Sequence, residues 1–493
     1  MQIALFNLSR TISSDGSRLI LGLLKRAGHN VKFICLSRSS SQMYEIKELR
    51  LLNHILQDSN LVFIAVYSSY VGRAIQLTEF IHAEYPGLKV IWGGPHCISV
   101  PELSLQYADG ICFSEGEEAV IDLIGRMESN QEYTHTPNMA FNIGGTYVIN
   151  DTLPPFDDLD SLPYYDYGPD DHFLLDRSFF PMTMEIIRER HAYYPYNKPT
   201  FFFLTSRGCP NRCTYCNNSR YITLFGRNAL RYLSINRIIR ELEFTLNQFD
   251  FFEMIFFSDD DFLTRSEKEL EEFAREYKKK IDLPFLISTS ANTYRRTKME
   301  ILLDVGLKCI QMGVQSGSQR ILDEVFNRKV KVSKTREVAR QIEPYYKTHG
   351  LDLLLDFIID NPYENSDDIF HTYKYLIDLP LHTMINIFHL AFFPGTPIYE
   401  RALADGLIEP YQAISDTFQF SSRTGVRVRY QKNYEMLLLL LARRLRMRCL
   451  DYQWKWRESI PDFVFRIAGG GPIRAIASLL PESAYEALCK KVP

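Results

Sequence analysis

The chain has 493 residues, too many for one ordinary hydrophobic core, so two or three domains are expected. Hydrophobic residues at 46% and charged residues at 24% are ordinary for a soluble globular protein. The formal net charge of -4 argues against a dedicated nucleic-acid partner, and no stretch is long and apolar enough to span a bilayer.

The amino terminus, Met1-Gln2-Ile3-Ala4-Leu5-Phe6-Asn7, has no basic region followed by an apolar run and a cleavage site, so it does not read as a signal peptide. Residues 1–125 alternate apolar strands with helical segments, the pattern of a parallel, doubly wound α/β layer of the Rossmann-like or flavodoxin-like kind. Strands are predicted at 2–6, 31–36, 61–67, 89–92 and 110–113. A helix carrying Leu19, Leu21, Leu23 and Leu24 stops at Ala27-Gly28. Ligands in such sheets sit beyond the carboxyl ends of the strands. The loops there are Tyr67-Ser68-Ser69-Tyr70, Gly93-Gly94-Pro95-His96 and Ser114-Glu115-Gly116-Glu117-Glu118. Their glycines let a ligand approach the backbone, and their serines offer hydroxyls; glycine-rich strand ends also serve simply as turns.

Residues 126–198 read as a connector without clear periodicity, rich in Pro, Asp and Tyr, that wraps over surfaces. Its aromatic stretch from Phe179 to Tyr196 suits either an interdomain space or plain packing.

A second alternating series occupies residues 199–405. Its first strand, Phe201 to Thr205, delivers the run Ser206-Arg207-Gly208-Cys209-Pro210-Asn211-Arg212-Cys213-Thr214-Tyr215-Cys216 at its carboxyl end. Cys209, Cys213 and Cys216 supply three thiolates and withhold a fourth. A four-iron cluster so held keeps one iron open for a small molecule, with Tyr215 covering one side. The competing readings are a zinc site completed from elsewhere and three unrelated buried cysteines. The other cysteines, at 35, 97, 112, 309, 449 and 489, lack disulfide-like spacing, and an exposed cluster needs a reducing, oxygen-poor setting, so a cytoplasmic location is expected.

Later strand ends add polar groups. Met254 to Phe257 leads into Ser258-Asp259-Asp260-Asp261-Phe262, whose acids suit an ammonium group or a helix cap. Phe285 to Ser290 leads into Ala291-Asn292, with Arg295 and Arg296 beyond. Ile310 to Val314 precedes Gln315-Ser316-Gly317-Ser318, and Leu355 to Asp360 precedes Asn361-Pro362-Tyr363-Glu364-Asn365. Ile387 to Phe392 precedes Phe393-Pro394-Gly395-Thr396-Pro397-Ile398-Tyr399.

With these motifs in view, residues 1–405 resemble cobalamin-binding radical S-adenosylmethionine (radical SAM) enzymes, specifically the class B methyltransferase-like subfamily. The Cys209, Cys213, Cys216 spacing matches their CxxxCxxC loop, the Gly-Gly-Pro-His and Glu-Gly-Glu turns match their cobalamin domain, and Pro394-Gly395-Thr396-Pro397 matches a turn after their last strand. The fold this implies is α/β: a Rossmann-like cobalamin-binding domain (1–125), the connector (126–198), a partial (β/α)6 TIM-type barrel (199–405) and a mostly helical region (406–493).

The resemblance implies a 4Fe-4S cluster on Cys209, Cys213 and Cys216. It places SAM against Tyr215, Asp259, Asp260, Gln315, Ser316 and Pro394, with the shifted pair Asp260 and Asp261 as the alternative match to the acidic element. Gln315 stands where the family carries glutamate. Cobalamin is assigned to Ser68, Ser69, Gly93, Gly94, Pro95, His96, Glu115, Gly116 and Glu117. The Asp-x-His-x-x-Gly element of cobalamin mutases, whose histidine ligates cobalt, is absent. His96 therefore reads as a turn residue, with cobalt ligation as the lesser alternative.

The implied activity is methylation of an unactivated carbon, or a phosphorus centre, of a natural-product or lipid-like small molecule through a 5'-deoxyadenosyl radical and methylcobalamin. An external donor such as flavodoxin or ferredoxin would supply electrons. The alternatives are a cobalamin-dependent oxidoreductase or cyclase that forms or rearranges a ring, and a non-catalytic cobalamin or iron-sulfur sensor. A tRNA methylthiotransferase is disfavoured, because cysteines for a second cluster are missing from the amino-terminal sheet. In residues 406–493 an apolar run from Met436 to Met447 ends among Arg443, Arg444, Arg446 and Arg448 near Trp454 and Trp456. It suits a buried helix with a basic end better than a membrane-surface helix.

Overall fold

A computed structural model describes residues 1–409 apart from 10–11, 14, 39–41, 192–193, 227–228 and 381–382. The expected helical region at 406–493, with its basic run and tryptophans, lies outside the described residues from 410 onward. No helix among the described residues is long and apolar enough to cross a membrane. The described chain divides into two compact units, one built from residues 1–260, 272–285 and 392–409, the other from 261–271 and 286–391.

The first unit contains a nine-stranded sheet. The five expected strands appear as β1 (Gln2–Asn7), β2 (Asn30–Leu36), β3 (Leu61–Ala65), β4 (Lys89–Gly93) and β5 (Gly110–Cys112). Their near-continuous apolar runs are what a parallel sheet covered on both faces requires. The helix Asp15–Arg26 ends just before Gly28, whose φ of +87° favours glycine.

The sheet does not stop at residue 125, which corrects the expected connector at 126–198. It continues through β6 (Met139–Ile143), β7 (Thr146–Ile149), β8 (His172–Asp176) and β9 (Ser178–Pro181). The strand order is β7-β6-β5-β4-β3-β1-β2-β8-β9. β6 and β7 form a hairpin antiparallel to β5, whereas β8 runs parallel to β2 and turns back into β9. Short hairpin strands at sheet edges carry too few residues for a readable period, so turn-rich composition concealed them. The chain reverses direction across the sheet at β1, with β2 on one side and β3 on the other. That switch point is where open α/β sheets leave a crevice at their carboxyl edge.

Beyond the sheet, β10 (Thr200–Phe203) pairs in parallel with β13 (Met254–Phe257). A small antiparallel pair, β11 (Ser206–Arg207) and β12 (Arg231–Tyr232), brackets the cysteine loop and the helix Asn218–Phe225. Phe257, Phe273, Tyr277 and Phe285 interlock edge-to-face, and Phe203 packs at a tilt against Phe257.

The second unit carries β14 (Phe285–Thr289), β15 (Leu307–Gln315), β16 (Asp352–Ile359) and β17 (Met384–His389) in that sheet order. β15, β16 and β17 are parallel, and β15 bulges between Gly313 and Gln315.

Candidate functional site

In the first unit, a cavity of about 480 Å³ opens at the carboxyl ends of β1, β3, β4 and β5. Its sheet-side rim is Ala65, Tyr67, Gly93, Gly94, Pro95 and the run Ser114 to Glu117, and its opposite wall includes Ser206, Arg207, Gly208, Cys209 and Asp260. Phe63, Ile91, Ile98, Ile222 and Phe225 make much of the remainder apolar. Gly94 has a φ of +100°, and a Cβ there would lie 3.0 Å from the carbonyl oxygen of Val66. Backbone thus packs against backbone at the rim, and no side chain of Gly93 or Gly94 fills the space above it.

Six of the residues assigned to cobalamin line this cavity: Gly93, Gly94, Pro95, Glu115, Gly116 and Glu117. Ser68, Ser69 and His96 do not, and Tyr67 takes their place. The short helix Pro95–Ser99 turns His96 into the interior, where its Nδ1 lies 3.0 Å from the Ser68 hydroxyl. Burial lowers the imidazole to about 4, so it is neutral near pH 7. His96 is thus packed inside the turn against Ser68.

Glu115 and Glu117 are held by cations that the sequence reading passed over. Arg231 places Nη1 2.8 Å from Oε2 and Nη2 2.7 Å from Oε1 of Glu115, and its Nη1 also donates to the Phe156 carbonyl. Arg207 donates to Glu115 at 3.2 Å and, through its other branch, to Glu117. Phe156 N–H adds a bond to Glu115 at 2.7 Å. Glu115 is half-buried, yet these partners hold its carboxyl below the usual range, and the two carboxylates raise the Arg207 guanidinium. The signal available was the position of Arg207, two residues before Cys209.

The cysteine loop starts at Gly208, with a φ of +88° and a hypothetical Cβ only 2.6 Å from the Ala229 carbonyl oxygen. None of Cys209, Cys213 and Cys216 is in a disulfide. Cys216 N–H donates to Cys213 O, and Ser219 N–H to Cys216 O, which leads the loop into the helix Asn218–Phe225. The amide of Asn211 reaches Cys209 Sγ at 3.7 Å. Burial pushes the Cys209 thiol up to about 11 and that of Cys216 up to about 12, with the negative charge of Asp260 adding to both. Three thiols within eight residues are the donor type that iron-sulfur clusters take. Tyr215 lies half-buried within the loop and does not line the cavity.

The acidic element splits. Asp259 is buried and accepts from Thr205 N–H, from the Thr205 hydroxyl at 2.6 Å and from Ser206 N–H at 2.8 Å. It braces the end of β10, whereas Asp260 is exposed and lines the cavity. Pro394 is buried beside Gly395, and Ile398 N–H bonds the Thr214 carbonyl of the cysteine loop at 3.1 Å.

In the second unit, Asp261 is enclosed by the hydroxyls of Thr289, Ser290 and Thr293, so it is an internal acceptor. Gln315 ends β15 with a φ of +70°, its amide folded over Gly313. Ser316 is fully buried; its Oγ is 3.2 Å from Thr372 Oγ1 and accepts from Ser318 N–H at 3.1 Å. Its hydroxyl therefore serves the turn rather than a surface. Arg295 and Arg296 open the helix Arg296–Leu303, and Arg296 pairs with Glu300.

The sheet with its carboxyl-edge crevice and the three-thiol loop at a strand end define an α/β protein whose cavity wall includes Cys209. The radical SAM superfamily pattern matches residues 203–376. An uncharacterised methyltransferase of Pyrococcus horikoshii is 24% identical over 357 residues, 71% of each chain. The anaerobic magnesium-protoporphyrin IX monomethyl ester cyclase of Rubrivivax gelatinosus is 23% identical over 322 residues, 63% of this chain and 52% of the cyclase. In fold, the chain is similar to the radical SAM methyltransferase TsrM of Kitasatospora setae, solved with cobalamin and a four-iron cluster bound. The TM-score is 0.63 at 14% identity, over 82% of this chain and 75% of TsrM.

Proposed function

We propose that this protein is a cobalamin-dependent radical SAM methyltransferase that acts on a carbon, or a phosphorus centre, of a natural-product or lipid-like small molecule. The observation that carries the reading is the single cavity whose wall joins the Gly93-Gly94-Pro95 sheet edge to Cys209. TsrM, the fold relative, has cobalamin and a cluster bound, and the Pyrococcus relative bears a methyltransferase name.

When loaded, the cluster supplies the electron that cleaves SAM, and cobalamin carries the methyl group. Cys209, Cys213 and Cys216 hold the cluster, and Gly208 sets the entry of their loop. Asp260 offers a carboxylate to the amino group of SAM, while Asp259 keeps the strand end in place. Gln315 and Pro394 remain the SAM residues that the resemblance implies, with Tyr215 flanking the cluster. The bare backbone of Gly93 and Gly94 admits the face of cobalamin. The apolar walls exclude water and favour a substrate with a hydrocarbon body. A one-electron donor of the flavodoxin or ferredoxin kind completes the system.

Ring formation without methyl transfer is the second reading, favoured by the Rubrivivax cyclase. An anaerobic assay with methyl-deuterated SAM and a panel of lipophilic small molecules separates the two. Deuterium in the product supports methyl transfer. A changed product without label, formed together with 5'-deoxyadenosine, contradicts it.

A further inference from the structure

Four charged side chains join the sheet edge to the cysteine loop within the first unit. Side-chain exposure is 11% for Glu115, 7% for Glu117, 21% for Arg207 and 9% for Arg231. Two carboxylates meet two guanidiniums, so the group is neutral overall. Such pairs are held away from water at a desolvation cost that offsets much of their attraction, so their stronger consequence is fixed geometry. Each guanidinium has two duties. Arg231, on β12, grips both oxygens of Glu115 and the Phe156 carbonyl. Arg207, on β11, spans Glu115 and Glu117 with its two branches.

The chain position of Arg207 gives this arrangement a reach beyond packing. Gly208 follows it, with no room for a Cβ against Ala229, and Cys209 comes next. A shift of the Arg207 backbone is therefore passed to Cys209 rather than absorbed in a loose turn. At the other end, Glu117 opens the helix Glu117–Glu128 and lines the cavity. Its Oε1 takes the Arg207 bond, and its Oε2 is buried with no hydrogen-bond partner among the described residues. A buried acceptor without a donor is costly, so a hydrogen-bond donor on a molecule in the cavity would draw on this carboxylate and on the Arg207 fork behind it.

We infer that Arg207 is a positioning residue that couples the two cofactor sites: occupation of the cavity by cobalamin and assembly of the cluster on the Cys209 loop favour one another through Glu117 and Glu115. The inference rests on the cofactor assignment proposed above. Coupling of this kind is reciprocal, and its usual size is about 5-fold to 150-fold in affinity.

The test is an anaerobic spectrophotometric titration of the full chain with hydroxocobalamin, with and without a reconstituted cluster. It is repeated for Arg207→Lys and Glu115→Gln. Lysine keeps the charge but has no fork to span two carboxylates, and glutamine keeps the shape of Glu115 without its charge. Wild type is expected to bind hydroxocobalamin at least about 5-fold more tightly with the cluster in place, and both variants to bring that ratio close to one. A merely structural contact would weaken binding equally in both states and leave the ratio unchanged.

An unchanged ratio in either variant, with far-ultraviolet circular dichroism matching wild type, overturns the inference, as does a wild-type ratio of one. If Arg207→Lys does not fold, Glu115→Gln alone decides; if neither folds, the wild-type ratio decides. No hydroxocobalamin binding in either state would overturn the cofactor assignment, and the coupling with it.

Discussion

Gly395 lies so close to Ser99 that a Cβ on it would stand 2.3 Å from the Ser99 carbonyl oxygen. Its φ of +79° compounds the demand for glycine. The Pro394-Gly395-Thr396-Pro397 turn is thereby pressed against the backbone beside the Gly93 rim, and the helix that follows bonds the cysteine loop through Ile398 and Thr214. Gly395→Ala is expected to cost about 2 kcal/mol or more, combining backbone strain with overpacking. Gly350 is the control, since it has a φ of +63° with nothing near its Cβ position. Gly350→Ala should cost only about 1 kcal/mol. Denaturant melts of the two variants check the difference, and equal losses would contradict it.

The cysteine loop should depend on Gly208 nearly as much as on the thiols. Cys209→Ala, Cys213→Ala and Cys216→Ala are each expected to abolish the iron content and visible absorbance of anaerobically reconstituted protein. Gly208→Ala should lower both severely, because its Cβ would collide with Ala229. Cys35→Ala, at a buried position on β2, should retain full iron. Iron analysis of the five variants checks this, and retention by any of the three loop cysteine variants would contradict it.

Neighbouring acids are expected to answer differently to the same change. Asp259→Asn puts an amide among the donors of Thr205 and Ser206, and should destabilise the chain by about 2 kcal/mol. Asp260→Asn should alter stability by less than about 0.5 kcal/mol, as exposed substitutions usually do. It should nonetheless weaken SAM binding in equilibrium dialysis. Equal melting temperatures for the two variants would contradict the assignment.

Stability should also report on Glu364 in the second unit. Burial first, and then the charges of Asp368 and Asp360, push its carboxyl up to about 8 from an ordinary 4.5. The folded chain holds this proton more tightly than the unfolded chain does. The resulting stabilisation is complete below the ordinary value and is lost as pH rises through about 8. Glu364→Gln, neutral at every pH, should flatten the fall in melting temperature between about pH 5 and pH 9. A variant that falls as steeply as wild type would contradict the account.

The parallel strands β1 to β5, β10 and β13 to β17 were legible because long apolar runs between glycine-rich turns leave few alternatives. What escaped was tertiary. β6 to β9 are short and lie among prolines and acids, so their pairing with β5 and β2 depends on sheet edges no local window contains. In the candidate site, glycines were legible because backbone conformation is local. Side-chain direction was not: His96 and Ser68 face each other inside the layer, Ser316 faces Thr372, and Asp259 faces Thr205. Arg207 and Arg231 escaped for the same reason. Their partner Glu115 is more than 90 residues away, and ion pairing over that separation has no periodic signature.

The central claim is that SAM and cobalamin meet in this chain to move a methyl group, and one measurement reaches it without knowledge of the substrate. Protein reconstituted with its cluster and loaded with chemically reduced cobalamin is incubated anaerobically with methyl-labelled SAM, and the label on protein-bound cobalamin is counted. Label recovered on cobalamin, and lost when cobalamin is omitted, is the expected result. Bound cobalamin that stays unlabelled while SAM remains intact would contradict the account.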